Sequence, residues 1–216
     1  MVGLLAGTAA AFAFAEGLKL EKSPILGTHV SKVFSPVCSC PTDSASIQFR
    51  LRHADHLTVR IENSAGEVVR TMFSGRPTAA GVHTYFWNGR LAGGAIAPDG
   101  RYRPRLELDD ADRAISLPNA IVLDTVKPHV LSVGVGLSKR GIVVRYRASE
   151  RAHGLLFVGG TRVVVTYRAP KVGTITITRA ALRERGVTGH LAIALRDVAG
   201  NVSKVRVLKY VIRQGS

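Results

Sequence analysis

A chain of 216 residues is long for one small β-domain and fits two of about 90–100 residues each, while a hydrophobic fraction of 46% excludes wholesale disorder. The net charge of +15 is unevenly spread, with 13 Lys+Arg against 12 Asp+Glu in residues 1–125 and 17 against 3 in residues 126–216. That asymmetry points either to an anionic partner for the second half or to solvated basic strand faces, and it does not bear on fold.

Residues 2–15, VGLLAGTAAAFAFA, form an uncharged run of 14 residues. A membrane span needs about 20, so the run predicts an N-terminal apolar helix serving as a signal peptide or membrane anchor over residues 1–15. Ala13-Phe14-Ala15 has the small-x-small form of a cleavage site, although no basic residue precedes the run. Residues 16–32 are polar, carry the Ser23-Pro24 break, and read as a stalk. Cys38 and Cys40 lie two apart, about 7 Å in an extended chain, so a bond between them needs a tight turn. A strained local disulfide, an intermolecular bond and free thiols all fit that spacing.

From Val33 the pattern alternates. Ile47, Phe49 and Leu51 interleave with Gln48, Arg50 and Arg52, and Leu57, Val59 and Ile61 follow, each a half-buried strand. Asn63 to Gly66 supplies a turn into Val68–Phe73. VHTYFWNG holds the lone tryptophan, Trp87, and Pro98-Asp99-Gly100 turns the chain into Tyr102, Leu106 and Leu108. Asp124-Thr-Val-Lys-Pro128 reads as the junction between a domain at 33–125 and a second at 126–216. The second domain shows strands at 129–135, 142–148, 155–158, 162–167 and 173–178, then one helical turn in RAALRERG. HLAIALRD and SKVRVLKYVI form a last hairpin across DVAGN, in which Leu191, Ile193 and Leu195 are predicted to face Val205, Val207 and Val211. The fold class expected is all-β, two tandem immunoglobulin-like β-sandwiches after an N-terminal apolar helix.

Residues 57–108 contain LTVRIENSAGEVVRTM, then AAGVHTYFWNGR, then GGAIAPDGRYRPRLEL. This succession resembles the immunoglobulin-like domain of flagellar hook-capping proteins and some secreted subtilisin-like proteases, over roughly residues 46–110. Trp87, Gly89, Arg90, Gly100 and Tyr102 match that family's pattern, and Asn88 stands where the family has an acidic residue. The resemblance implies a structural or accessory β-sandwich without catalysis. The second half is similar, more loosely, to bacterial immunoglobulin-like or fibronectin type III modules.

Trp87 and Tyr102 are expected in the core. His53 and His56 flanking Asp55 lack the further ligands of a metal site, and the Asp109–Asp112 tip is too short for calcium, so no metal and no cofactor is expected. No Gly-x-Ser-x-Gly elbow and no serine or cysteine recognisably paired with histidine is present, and LAGGAIAPDG leads into a strand, not a phosphate-cradling helix. In the second domain Arg145 and Arg147 share one strand face, Arg162 and Arg168 lie on a neighbour, and Lys204, Arg206 and Arg213 line the last strand. Alternation puts all seven opposite the valines, an array suited to polyanions. Aromatics for base stacking are scarce there, which argues against nucleic acid.

The function expected is a non-catalytic, extracytoplasmic structural or interaction module of the bacterial cell envelope, secreted or anchored by residues 2–15. The alternatives are a polyanion-binding protein acting through its basic second domain, or an accessory domain of a secreted enzyme system. The partner expected is an anionic envelope polymer or another envelope protein.

Overall fold

The computed structural model describes residues 22–213. The predicted apolar helix of residues 1–15 lies outside them. Among the described residues no helix is long and apolar enough to cross a membrane.

Several strands alternate buried and outward side chains. β3 (Ala45–Leu51) buries Ala45, Ile47, Phe49 and Leu51, and β4 (Asp55–Glu62) buries Leu57, Val59 and Ile61. β1 (Ile25–Val30), β3 and β6 (Gly81–Trp87) form one antiparallel sheet. The facing sheet runs β2 (Val33–Phe34), β9 (Ile121–Leu123), β7 (Gly100–Leu108), β4 and β5 (Val68–Thr78), with β8 (Arg113–Ser116) beside β7. One apolar core from Ile25 to Leu123 fills the space between them.

This first sandwich begins earlier than the sequence suggested. Residues 25–30 are a core strand rather than stalk, with Ile25 and Val30 buried against β3. Gly27, at φ +55°, and a register shift between Leu26 and His29 interrupt the alternation that would have marked a strand.

The second sandwich packs β10 (Val130–Ser138), β11 (Gly141–Ala148) and β14 (Val172–Thr178) against β13 (Thr161–Val165), β12 (Ala152–Val158), β15 (Gly189–Asp197) and β16 (Arg206–Ile212). Its separate core runs from Ile142 to Ile212. The helical turn is α1 (Arg179–Arg185), capped at its start by the Thr178 hydroxyl, which accepts from Ala181 N–H.

The last strand corrects the predicted register. Leu208 and Ile212 point into the core, while Val205, Val207 and Val211 are 57%, 63% and 46% exposed. A register shift between His190 and Ala192 sets Val207 opposite Ala192, on the outer face, and leaves Leu191, Ile193 and Leu195 to the core. With valine at several outward positions, hydrophobicity does not identify the buried face.

Trp87 is 2% exposed, its ring edge-on to Tyr102 at 4.9 Å and tilted against Phe34 at 5.4 Å. Its indole N–H donates to Arg90 O at 3.0 Å, and Tyr102 O–H donates to Pro98 O at 2.6 Å, so both polar tips are satisfied. Asn88 Oδ1 accepts Arg90 N–H at 3.3 Å, so the amide still fastens the turn. Gly89, at φ +72°, has Pro36, Leu123 and Phe34 where a Cβ would sit. Trp87→Ala is expected to destabilise the first sandwich by about 3–5 kcal/mol, read as a lowered midpoint in urea unfolding. A loss under 1 kcal/mol would remove the tryptophan from the centre of the core.

Candidate functional site

The chemistry-bearing residues of this chain collect where the two sandwiches meet. Asp197 ends β15 and is 2% exposed. Its Oδ1 accepts Gly200 N–H at 2.7 Å and Asn201 N–H at 2.9 Å, and its Oδ2 accepts the Asn201 amide at 2.8 Å. These bonds close DVAGN into a turn that presents Ala199, Gly200 and Asn201 to the first sandwich. Asn201 Nδ2 also donates to Asp124 O at 2.9 Å, and Ser35 Oγ donates to Asn201 Oδ1 at 2.5 Å. Thr42 Oγ1 donates to Ala199 O at 2.6 Å.

The surface that receives the turn is the Cys38–Cys40 hairpin. The two cysteines form a disulfide with Cα atoms 5.2 Å apart. Ser39, at φ +48°, shortens the chain to that distance, and Cys38 N–H donating to Ser35 O and Asp43 N–H donating to Cys40 O close the loop. Gly200, at φ +104°, rests on the disulfide: an added Cβ would overlap Cys40 Sγ and Thr42 Oγ1. Only glycine satisfies both the backbone angle and the approach.

Beside this contact, Asp124, Glu150 and Asp197 each bring a carboxylate oxygen within 4.8 Å of the others. Hard oxygen donors of this kind suit a divalent cation such as calcium, but the Asp197 oxygens are already engaged in the turn. Burial holds the Asp124 carboxyl above its ordinary range. The Val126 N–H bond opposes that rise, and the charges of Asp197 and Asp99 assist it. Glu150 is raised first by burial and then by Asp124 and Asp197, against His129 and Lys171.

The predicted basic array is divided. Arg145 and Arg147 are exposed on β11, opposite Thr174 and Val172, in the sheet of β10, β11 and β14. Arg162 lies on β13 opposite Phe157, in the other sheet. Arg168 follows β13 in a loop, where its carbonyl accepts the Thr166 hydroxyl. Lys204 precedes β16, Arg206 opens it and Arg213 follows it, all exposed. The seven cations therefore occupy different sides of the sandwich, because β11 and β13 belong to facing sheets.

Among the described residues the ion pairs lie in the first sandwich: His56–Asp110, Arg60–Glu107, and Arg105 with Glu62 and Glu107. Among the described residues of the second sandwich there are none. Asp55, between the two histidines of the RHADH segment, is buried and accepts Asp110 N–H and Ala111 N–H, a structural brace for the acidic tip.

Each half of the chain is a paired-sheet, all-β unit of immunoglobulin-like build. Residues 37–112 match the family described as "FlgD Ig-like domain". The basal-body rod modification protein FlgD of Escherichia coli strain K12 is 47% identical over 49 residues, which are 23% of this chain and 21% of that protein. Three solved structures are also similar. The human OSCAR ligand-binding domain is 12% identical over 86% of this chain and 99% of its own, with a TM-score of 0.40. The fibronectin(III)-like modules of Clostridium thermocellum CbhA are 12% identical over 87% and 94%, at 0.39. FlgD from P. aeruginosa is 17% identical over 68% and 99%, at 0.33.

In the sequence DTVKP reads as a junction and DVAGN as a turn, and nothing there places either of them beside the cysteine pair. The signal was there in one respect: Asp and Asn flanking Ala-Gly is turn chemistry, with no local need for a buried asparagine.

The carboxyl cluster has a pH consequence. Raised folded values for Asp124 and Glu150 mean that the folded chain takes up protons at higher pH than the unfolded chain. Their contribution to stability is complete below the unfolded carboxylate range and is lost as pH rises through the folded values. In EDTA, the melting temperature should therefore carry a component that rises as pH is lowered from neutral towards that range. Glu150→Gln should flatten it. An equal slope in wild type and variant would dissociate the cluster from stability.

Proposed function

We propose that this chain is a non-catalytic structural module of the bacterial cell envelope that works outside the cytoplasm, with the FlgD-type sandwich holding the basic sandwich in a fixed orientation. The observation that carries the reading is the Cys38–Cys40 disulfide placed under Gly200 at the joint. A disulfide persists in an oxidising compartment and is rare in the cytosol. Here it supports a contact between domains rather than the inside of one. The bonds from Ser35 and Thr42 to the DVAGN turn, and from that turn to Asp124, support a joint that does not swing freely.

The FlgD-type domain supports the same reading in a limited way. The E. coli relative is named for basal-body rod modification, and 21% of its length is shared. What transfers is a sandwich used within an assembly, not the assembly itself.

Maleimide labelling of the protein in its own cells tests the compartment. Cys38 and Cys40 are expected to be unreactive until a reductant is added, and the protein to be recovered in the extracytoplasmic fraction. Thiols that label without reduction, in a cytoplasmic fraction, would overturn the proposal. The joint is tested separately by Gly200→Ala, whose Cβ meets the disulfide. Strain of about 1–3 kcal/mol is expected there, with a larger hydrodynamic radius or faster relative tumbling of the two sandwiches by NMR relaxation. An unchanged melt and unchanged tumbling would remove Gly200 from the contact.

A further inference from the structure

The structure assigns a binding groove for a linear phosphate-bearing polymer to the joint end of the second sandwich, with Lys127, Lys204 and Arg206 as the phosphate contacts. The groove has a volume of about 400 Å³ and is lined by Lys127, Pro128, His129 and Val130 on one wall and by Ser203, Lys204, Val205 and Arg206 on the other. The walls lead into β10 and β16, edge strands of the two facing sheets, so the groove runs between sheet edges.

Its position follows from the joint. Lys127 comes three residues after Asp124, and Lys204 three residues after Asn201. The hydrogen bond from Asn201 Nδ2 to Asp124 O therefore pins both walls near their start. Ser203 is buried and fixes the second wall further: its hydroxyl donates to Lys204 O and accepts Leu195 N–H.

The chemistry of the lining selects the ligand. Lys127 and Lys204 are exposed and, among the described residues, form no ion pair with a carboxylate. Arg206 donates one N–H to Val130 O at 3.3 Å and keeps the rest of its guanidinium for a ligand. No Asp or Glu lines the groove. Two of the three carboxylates in residues 126–216, Glu150 and Asp197, are gathered in the joint cluster instead. Along the second wall Lys204 and Arg206 stand two residues apart, about 7 Å in extended chain. That interval suits phosphates joined by a short polyol, each meeting one cation. Pro128, Val130 and Val205 give the groove an apolar floor for the alkyl carbons between phosphates. No Phe, Tyr or Trp lines it, so nothing offers a stacking platform to a nucleobase.

The inference goes beyond the proposed compartment and does not depend on it, since binding is a property of the folded chain in solution. The probe is a fluorescent poly(glycerol phosphate) oligomer titrated with the full chain at low and moderate salt. Saturable binding that weakens steeply with salt is expected. The double variant Lys127→Gln/Lys204→Gln should bind about tenfold more weakly and with a shallower salt dependence, because fewer counterions are released. Arg162→Gln/Arg168→Gln removes the same charge at β13, the edge of its sheet furthest from β16, and should stay within about twofold of wild type. Both pairs are exposed, and thermal melts confirm that the variants fold.

Equal weakening by the two double variants would overturn the groove in favour of a diffuse charge effect. Tighter binding of an oligothymidylate of matched phosphate number would overturn the polymer class in favour of nucleic acid. Equal binding of a polyuronate would overturn the phosphate contacts. Absent or salt-independent binding would overturn the whole proposal.

Discussion

The side-chain amide of Asn201 ties the two domains together. It is 1% exposed, and its hydrogen-bonding capacity is used from both sides. Ser35 of the first sandwich donates to its oxygen, and its nitrogen donates to Asp124 O at the junction and to Asp197 in its own turn. A buried amide left without partners costs about 1–3 kcal/mol. Parting the two sandwiches would strip Asn201 of Ser35, remove Thr42 from Ala199 O and uncover the disulfide at Gly200 together. These losses are coupled through one turn, so the joint behaves as a unit rather than as a set of independent surface contacts.

The electrostatics of the two halves follow from the same place. In the first sandwich Arg60 and Arg105 meet Glu62 and Glu107 across neighbouring strands, so opposite charges are paired within the fold. The second sandwich has little acid to pair, and most of that acid sits at the joint. Its cations are left facing solvent on both sheets. Positive potential is therefore built into the geometry of the second domain, and the first domain contributes almost nothing to it. Two sandwiches of similar build consequently present different surfaces.

How much of this was legible is best judged residue by residue. The period-2 alternation of β3 and β4 is strict, and the structure buries Ile47, Phe49, Leu51, Leu57, Val59 and Ile61 accordingly. Trp87 and Tyr102 were legible as core for a physical reason: large aromatics in a small sandwich fill its centre. β16 was not, because Val205, Val207 and Val211 look buried while the side chains that enter the core are Leu208 and Ile212. A one-residue slip reverses every face, and apolar side chains on both faces remove the signal that would prevent it. The cysteine hairpin needed one left-handed residue, Ser39, which no composition announces. The joint was least legible, since Ser35 and Asn201 are 166 residues apart and neither local pattern implies the other.

The division of the predicted basic array has the same origin. Alternation correctly put Arg145 and Arg147 on an outward face, but alternation is a property of one strand and carries no information about which sheet that strand joins. β11 pairs with β10 and β14, while β13 pairs with β12, so Arg145 and Arg162 look away from each other. What brings cations together instead is the joint, which is not periodic. Asp124 and Asn201 are bonded, and Lys127 and Lys204 each follow three residues later into one groove. Proximity of those two lysines follows from one hydrogen bond and two short segments, and any ligand held between them would sit against the contact that orients the domains.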